Sequence, residues 1–253
     1  MKEIPLRGGL VSSSVKVGNT VRRNAGPWTP TVHALLEHLR AHGFDFAPKP
    51  LGMDEKGREI LGYMEGASVH RPWIAVLKSD DGLRQVARMV RKYHDAVASF
   101  VPPADAQWRI GKAGTGPAPS IRHGDLGPWN TLWKGDRLTG LLDWDLAEPA
   151  ERIVDVAQMA WYFVPLRGEI GWEEAGFEKR PDFRHRLEVL CEEYGEFSPA
   201  EVLAAVLELQ SLDLKRTKQL GGGGMYPWSL FWDRGGMQLL RDEHAWLKSF
   251  LRE

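Results

Sequence analysis

Residues 122 to 133, with the sequence RHGDLGPWNTLW, combine a His, an Asp and an Asn at a fixed spacing. Asp125 follows His123 by two positions, and Asn130 follows Asp125 by five. Asp and Asn favour turns, so an ordinary polar turn is one interpretation. Phosphate chemistry is the other, because a carboxylate can accept a proton from a hydroxyl and an amide oxygen can bind a hard cation.

The segment that follows, NTLWKGDRLTGLLDWD, predicts a β-hairpin. Two β-prone runs, TLW and LTGLL, flank turn residues at 134–136. A hairpin centred there brings Asn130 and Asp143 together at its open end and carries Asp125 close to them. One carboxylate and one amide suit Mg²⁺, which takes its other ligands from water and phosphate. Asp125 then remains to accept a proton from an attacking hydroxyl, a division of labour that suits phosphoryl transfer.

The same motif resembles the catalytic loop of kinases. HGDLGPWN has the H-x-D-x-x-x-x-N spacing of that loop, and LLDWD stands where kinases carry the metal-binding Asp. With Gly after the His and Trp after the metal Asp, the chain resembles the aminoglycoside phosphotransferase family, and the helix RIVDVAQMAWY with its Asp155 adds to the likeness. The resemblance implies an α+β, two-lobed protein-kinase-like fold, with a small N-terminal β-sheet lobe carrying one helix and a larger, mostly helical C-terminal lobe.

The resemblance also implies roles for single residues. Asp125 would be the catalytic base, and His123 would brace its loop. Asn130 and Asp143 would hold Mg²⁺ against the phosphates of ATP or GTP. Glu65, in the segment GYMEG, would belong to the hinge that meets the adenine.

The N-terminal region departs from the kinase pattern at the phosphates. Kinases place a Lys on the third strand, whereas the strand NTVRR offers Arg22 or Arg23, of which we assign Arg22 to cofactor binding. The following helix has Val32 or His33 near where the partner Glu is expected. The segment RGGLVSSSV lacks the usual glycine pattern, and either its backbone and Ser13 cradle phosphate or it is a flexible turn.

The predicted secondary structure that positions these residues changes from mainly strands to mainly helices near residue 66. Residues 1–66 predict a small sheet with one helix, because β-prone runs surround turns at 18–19 and 55–57. Residues 67–253 are mainly periodic helices, one of which begins with a capping box at 198–201. We therefore expect an N-terminal nucleotide-binding lobe and a C-terminal lobe for catalysis and acceptor binding.

Composition limits the classes of partner. The 253 residues are 43% hydrophobic and 26% charged, with a net charge of −1, which gives no electrostatic footprint for nucleic acid. The N-terminal segment lacks the apolar stretch of a signal peptide, and no run approaches the ~18 apolar residues of a membrane span. A single Cys cannot form an internal disulfide. These features predict a cytoplasmic protein without nucleic-acid or membrane partners.

The predicted activity is that of an ATP- or GTP-using, Mg²⁺-dependent kinase that phosphorylates a hydroxyl of a small molecule, such as an aminoglycoside-like antibiotic. The acceptor is left open, with Glu148, the region of Trp161 and residues 221–236 as candidate pocket walls. The alternative is a non-catalytic nucleotide-binding pseudokinase or scaffold of the same fold, which the unusual phosphate-binding strand favours. The sequence makes no prediction of oligomeric state.

Overall fold

The computed structural model describes residues 2–6, 14–111 and 120–253, so the candidate Ser13 lies outside the described residues. The chain divides into two compact units, one made of residues 1–70 with 85–155 and the other of residues 71–84 with 156–253. The catalytic-loop motif therefore clusters with the N-terminal sheet. The functional division at residue 66 concerns which residues bind nucleotide and acceptor, and it stays a prediction.

An antiparallel five-stranded sheet opens the first unit. Its strands are β1 (Ile4–Pro5), β2 (Val15–Val17), β3 (Thr20–Asn24), β4 (Pro50–Met53) and β5 (Arg58–Gly62), in the order β1-β2-β3-β5-β4. The turns predicted at 18–19 and 55–57 are confirmed, since each lies between two paired strands. Pairing of β3 with β5 sets Arg23 directly opposite Glu59, which puts both side chains on one face of the sheet.

The helices follow the predicted apolar periodicity. The first, α1 (Thr29–Ala41), buries its apolar face, with Val32, Leu35, Leu36 and Leu39 each at most 2% exposed. The others are α2 (Ala75–Lys78), α3 (Asp80–Val97), α4 (Arg152–Phe163), α5 (Glu169–Glu174), α6 (Phe183–Tyr194), α7 (Pro199–Arg216), α8 (Trp228–Asp233) and α9 (Gly236–Phe250). In the described parts of the chain, no helix combines the length and apolar character needed to cross a bilayer.

The predicted central hairpin is confirmed. It consists of β8 (Thr131–Lys134) and β9 (Arg137–Leu141), and β6 (Ala67–Ser68) pairs with its outer edge at β8. A separate pair, β7 (Ile121–Arg122) and β10 (Glu148–Pro149), brackets the hairpin in sequence. The catalytic-loop motif thus begins where β7 ends and finishes where β8 begins, so its backbone is fixed at both ends.

An aromatic cluster forms the core beneath this loop. The Trp144 ring meets the rings of Tyr93, Phe44 and His123 edge-on, with centroid separations of 5.0, 6.2 and 4.6 Å. Tyr93, Phe44, Trp144 and His123 are each at most 1% exposed. Two of these residues come from α3 and from the segment after α1, so the core ties the loop to both helices.

In the second unit, a buried arginine bonds the carbonyls at the ends of two helices. The Arg186 guanidinium donates to the carbonyls of Lys78 and Leu77 at the end of α2, at 2.8 and 3.1 Å. It also donates to the carbonyls of Phe163 and Val164 at the end of α4, at 2.9 and 3.3 Å. Carbonyls at helix C-termini lack intrahelical donors and carry partial negative charge, so one cation satisfies two helix ends. Burial lowers the pKa of Arg186 to about 10.

Replacing Arg186 with Met is expected to lower the free energy of unfolding by about 3 kcal/mol, because hydrogen bonds to a charged group are lost and buried carbonyls stay unsatisfied. Urea denaturation measures this difference. The control is Arg184→Met on the same helix, where the side chain is exposed and a change within about 0.5 kcal/mol is expected. Equal effects of the two substitutions would contradict the role given to Arg186.

Candidate active site

The catalytic-loop residues lie together as the spacing predicts. The Asn130 amide Nδ2 donates to the Asp125 carboxylate Oδ2 and to the Asp125 carbonyl, both at 2.8 Å. The Trp129 indole Nε1 donates to the other carboxylate oxygen at 3.3 Å. Asp125 is half-buried and Trp129 is 39% exposed. Two donors thus fix the orientation of the Asp125 carboxylate, and a large apolar ring lies beside it.

His123 links the loop to the hairpin. Its ring makes two contacts. Nδ1 accepts from the Asp125 backbone N–H at 3.2 Å, and Nε2 lies 3.0 Å from the Leu142 carbonyl. This pattern requires a proton on Nε2 and a lone pair on Nδ1, which is the neutral imidazole. Burial lowers the pKa of His123, in agreement with that tautomer. A neutral His123 therefore holds the backbone on both sides of the site.

The neutral state of the His123 ring predicts that the free energy of unfolding falls in acid. Below pH 6.5 the unfolded chain protonates this imidazole while the folded chain does not, so the unfolded state binds more protons and stability falls as pH falls. Its stabilising contribution is fully present above pH 6.5 and is lost below it, by up to about 1.4 kcal/mol per pH unit. Urea denaturation between pH 7.5 and pH 5.5 should show a shallower slope for His123→Gln than for the unaltered protein.

The exposed His70 provides the control for that experiment. His70→Gln should leave the pH slope of the unaltered protein in place. If His70→Gln and His123→Gln change the slope equally, the acid sensitivity does not come from the buried ring.

The open end of the hairpin carries the two predicted metal ligands. The Leu142 N–H donates to the Asn130 carbonyl at 2.7 Å, which continues the strand pairing by one step and sets Asp143 next to Asn130. Asp143 adopts φ 61° and ψ 70°, a left-handed conformation that is costly for a residue with a Cβ. Strain of this kind persists where surrounding contacts enforce it, and here those contacts are made by the Asp143 carboxylate.

A steric constraint explains why the HGD motif has Gly at its second position. Gly124 adopts φ 82°, and a Cβ built on it would lie 2.0 Å from the Leu146 carbonyl oxygen. A side chain at this position would displace the backbone that follows Asp143. The close approach explains why Gly, and not the Arg of protein kinases, follows His123.

Arg23, and not Arg22, reaches the predicted metal ligand. The Arg23 guanidinium donates to Asp143 Oδ1 at 2.9 Å and also contacts the carboxylates of Asp145 and Glu59. Arg22 points to the other face of β3, where it bonds Thr20 Oγ1 at 2.6 Å and lies 3.7 Å from Asp54. Alternation of side chains along a strand allows only one of two consecutive arginines to face the site. Of the two arginines, Arg23 therefore faces the predicted site, and the assignment of Arg22 to cofactor binding stays a prediction.

Three carboxylates around one guanidinium set the local electrostatics. Burial disfavours the charged form of Arg23, but the carboxylates outweigh it, so the pKa of Arg23 is raised and the cation is permanent. Burial raises the pKa of Asp145, and repulsion from Asp143 and Glu59 adds to this, against the attraction of Arg23. Arg109 is a second cation at Asp145, with Nη1 3.3 Å from Oδ2. The cluster thus holds a concentration of negative charge that a further cation would relieve.

The acidic partner of Arg23 comes from an unexpected element. Kinases supply it from the helix, whereas here it is Glu59 on β5, directly opposite Arg23. Helix α1 contributes His33, whose Nε2 lies 3.0 Å from Glu59 Oε2. Glu59 was not among the predicted site residues, and the signal for it was only the alternation of β5, where positions 59 and 61 are buried.

The remaining sequence candidates lie outside this cluster. The Glu65 carboxylate is 77% exposed and 3.2 Å from Lys134, while its carbonyl accepts from Thr139 Oγ1 at 3.1 Å. Glu148 is buried and is bonded by Arg122 Nε at 2.9 Å, so this carboxylate is a structural partner within the first unit and not an exposed pocket wall.

The acceptor-wall candidates of the second unit differ in exposure. The Trp161 ring is fully buried, and its Nε1 donates to Glu243 at 2.8 Å. Helix α8 has no buried residue, and the aromatic side chains around it that are at least 37% exposed are Tyr226, Phe231 and Trp232. Of these candidates, only the segment around α8 offers an accessible apolar surface.

The donor set at the hairpin end suits a magnesium ion. Both N–H groups of the Asn130 amide are used within the loop, so Oδ1 is the atom with which it can bind a cation. Asp143 offers the carboxylate oxygen that does not accept from Arg23, and its side chain is 34% exposed. An amide oxygen and one carboxylate, completed by water and phosphate oxygens, form the ligand set typical of Mg²⁺ at nucleotide sites.

These elements together define a class of protein. An N-terminal antiparallel sheet, a larger helical part and an H-x-D-x-x-x-x-N loop followed by a hairpin and an Asp are the parts of a protein-kinase-like phosphotransferase. Comparison with solved structures agrees with this class. A choline/ethanolamine kinase family protein from Mesorhizobium loti superimposes with a TM-score of 0.64 at 17% identity, over 100% of this chain and 89% of that one. The GDP and kanamycin complex of the aminoglycoside phosphotransferase APH(2″)-IIIa superimposes with a TM-score of 0.60 at 15% identity, over 96% and 93%.

Sequence comparison gives the family. The model of the phosphotransferase enzyme family, APH, matches residues 105–186. The trifolitoxin immunity protein of Rhizobium leguminosarum bv. trifolii is 37% identical over 198 residues, which are 76% of this chain and 74% of that protein. The chain belongs to the aminoglycoside phosphotransferase family and is a small-molecule phosphotransferase. Membership in a family of enzymes favours the kinase over the non-catalytic scaffold.

Proposed function

We propose that this chain is a cytoplasmic, Mg²⁺-dependent kinase that transfers the γ-phosphoryl group of ATP or GTP to a hydroxyl of a small antimicrobial molecule. The observation that carries this proposal is the hydrogen-bonded group of Asp125, Asn130 and His123, joined through Leu142 to Asp143. It supplies an oriented base and a pair of oxygen ligands on one rigid hairpin. Those are the requirements of phosphoryl transfer, where catalysis is mainly positioning and charge neutralisation.

In this mechanism Asp125 is the catalytic base. One carboxylate oxygen accepts the proton of the acceptor hydroxyl while the hydroxyl oxygen bonds to the γ-phosphorus, and the bond from phosphorus to the bridging oxygen of the nucleotide breaks. Trp129 and Asn130 keep the carboxylate in place during the transfer. A base within hydrogen-bond reach of its proton contributes typically ~10²–10⁴-fold to the rate.

Asn130 and Asp143 would hold the magnesium ion, and Arg23 would bind the nucleotide phosphates. The ion, when bound, neutralises charge on the phosphate oxygens. Arg23 already lies 2.9 Å from Asp143, and its guanidinium can bind phosphate oxygens in bidentate fashion. Glu59 holds Arg23 from the sheet, and His33 on α1 contacts the other carboxylate oxygen of Glu59. Nucleotide binding is thus assigned to the N-terminal sheet and to the hinge near Glu65.

The acceptor is proposed to be a toxin or antibiotic with an apolar face next to its hydroxyl. A relative is named for immunity to trifolitoxin, and a structural neighbour binds kanamycin. Trp129, which bonds Asp125 and is 39% exposed, places a partly exposed aromatic ring beside the proposed base. An aromatic face next to the base favours an apolar or planar group on the acceptor.

The test is phosphate transfer by the purified protein. ATP or GTP labelled in the γ-phosphate is supplied with Mg²⁺ and a panel of trifolitoxin, macrolides, aminoglycosides and amino alcohols, and phosphorylated products are identified by mass spectrometry. Parallel reactions with the ion removed by a chelator should give no product. Absence of product from every acceptor, together with no Mg²⁺-dependent nucleotide binding by calorimetry, would refute the proposed activity.

A further inference from the structure

Two histidines and a serine lie close together where α1 and α3 end. His38 and His42 are one helical turn apart at the end of α1, and their rings stack with centroids 4.0 Å apart. Ser99 follows the end of α3 and places its Oγ 3.4 Å from His38 Nε2 and 3.3 Å from His42 Nε2. One nitrogen of each ring therefore lies next to the same oxygen atom.

The His42 ring has the orientation of a metal ligand. Its Nδ1 lies 2.8 Å from the His38 carbonyl, which places the ring proton on Nδ1 and leaves the lone pair of Nε2 on the side of Ser99. Metal-binding imidazoles almost always donate their other ring N–H to a backbone carbonyl, a carboxylate or water, because this bond fixes the tautomer. The side chain of His42 is exposed, so an ion can reach Nε2 from solvent.

His38 brings a second nitrogen and a backbone oxygen to the same place. Its Nε2 lies 3.1 Å from the Ala96 carbonyl, and its half-buried ring meets the Phe100 ring edge-on at 5.2 Å. Burial lowers the pKa of His38, and His42 adds to this against the opposing hydrogen bond to Ala96, which favours the neutral imidazole that metals bind. A cation in place of the Nε2 proton would contact both the ring nitrogen and the carbonyl oxygen.

The two helix ends make this position favourable for a cation. Carbonyls in the last turn of a helix have no intrahelical donor and carry partial negative charge. Helix α1 ends at Ala41 and α3 ends at Val97, and the contacts of His38 with Ala96 and Ser99 bring these ends together. A positive charge here would therefore interact favourably with both helix dipoles.

We propose that His38, His42 and Ser99 form a binding site for a divalent cation that prefers imidazole ligands, Zn²⁺, and that this site shares no residue with the predicted Mg²⁺ site. Two His four residues apart are the spacing with which a helix presents a pair of ligands to zinc, whereas Mg²⁺ prefers oxygen. In the described parts of the chain no larger group of His, Cys, Asp and Glu side chains is arranged to hold a metal ion. The Ser99 hydroxyl, the Ala96 carbonyl and water would therefore complete the coordination, and the ion would join the end of α1 to the end of α3.

Calorimetric titration with Zn²⁺ tests this site without nucleotide or acceptor. The titration is made in excess Mg²⁺, which competes for sites built from oxygen ligands. One Zn²⁺ should bind per chain, and His38→Gln and His42→Gln should each weaken its affinity by about tenfold or more, because loss of a group that only orients a ligand already costs about 10–100-fold.

Two control variants separate this site from other histidines and from the predicted Mg²⁺ site. His70→Gln removes an exposed imidazole elsewhere in the first unit, and Asp143→Asn alters the predicted Mg²⁺ ligand. Both variants should bind Zn²⁺ with the affinity of the unaltered protein. Unchanged affinity in His42→Gln, or an equal loss in His42→Gln and Asp143→Asn, would overturn the proposal.

Chemical modification locates the bound ion directly. Diethyl pyrocarbonate acylates accessible imidazole nitrogens, and mass spectrometry of peptides gives the rate at each histidine. At a Zn²⁺ concentration about ten times the dissociation constant, the rate at His42 should fall by about tenfold, because only about one chain in ten is then free of the ion. The rate at His70 should stay the same. Equal rates at His42 with and without Zn²⁺ would overturn the proposal, whatever affinity the calorimetry gives.

Discussion

Replacing Asp125 with Asn is expected to lower kcat by about 10²–10⁴-fold, the range for loss of a positioned base. The amide cannot accept the proton of the acceptor hydroxyl, but it has nearly the same shape and keeps one oxygen, which can accept from either Trp129 or Asn130. Binding of Mg²⁺–ATP should therefore stay within a few-fold of the unaltered protein. Steady-state kinetics and calorimetry on the same preparation measure the two quantities.

Asp136 supplies the matched control for that experiment. It lies exposed in the turn at the far end of the same hairpin, so Asp136→Asn alters charge and composition identically without touching the loop. We expect its kcat to equal that of the unaltered protein. Full activity in Asp125→Asn would remove this residue from its proposed role, whatever the acceptor.

Replacing Arg23 with Leu is expected to affect both stability and nucleotide use. Glu59, Asp143 and Asp145 would keep their negative charge in a partly buried site without the cation between them, and loss of one partner from such a group costs about 3–5 kcal/mol. The kcat/KM for ATP should fall by about 10²–10³-fold, the range for removing one group that stabilises charge in the transition state. Urea denaturation and steady-state kinetics report the two effects.

Two further variants make the Arg23 experiment interpretable. Arg23→Lys keeps the charge but not the planar fork, so it should fold and show an intermediate loss of nucleotide affinity. Arg22→Leu lies on the other face of β3, where its ion pair with Asp54 is 3.7 Å long, and should cost less than about 1 kcal/mol with unchanged kinetics. Loss of nucleotide affinity in Arg22→Leu but not in Arg23→Lys would restore the original assignment to Arg22.

The arrangement of the central motif could be predicted from the sequence because its residues are near neighbours along the chain. Asp125 and Asn130 are five residues apart, and Asn130 and Asp143 are the two ends of a hairpin whose turn is marked by Gly135. Strand periodicity and turn chemistry act over neighbouring residues, so the approach of these groups follows from the sequence. Their catalytic and metal-binding roles are still predictions, which the Asp125 experiment and calorimetry of Mg²⁺-dependent nucleotide binding test.

Which of the two arginines of β3 faces the site could not be predicted in the same way. Sequence leaves Arg22 and Arg23 equivalent, because it does not say which face of β3 is covered. The choice follows from pairing between β3 and β5, whose residues Arg23 and Glu59 are 36 positions apart. Asp145 and Arg109 join the same cluster from still more distant segments.

The sequence by itself determined the family likeness, the α+β elements and the spacing of the catalytic loop, since these depend on residue type and on contacts between near neighbours. Only the tertiary structure decided that Arg23 faces the site, that Glu59 replaces the expected helical Glu, and that the ends of α1 and α3 meet at His38. Such contacts arise where the hydrophobic core sets register between distant segments, and a buried charge finds its partners only after that core has formed.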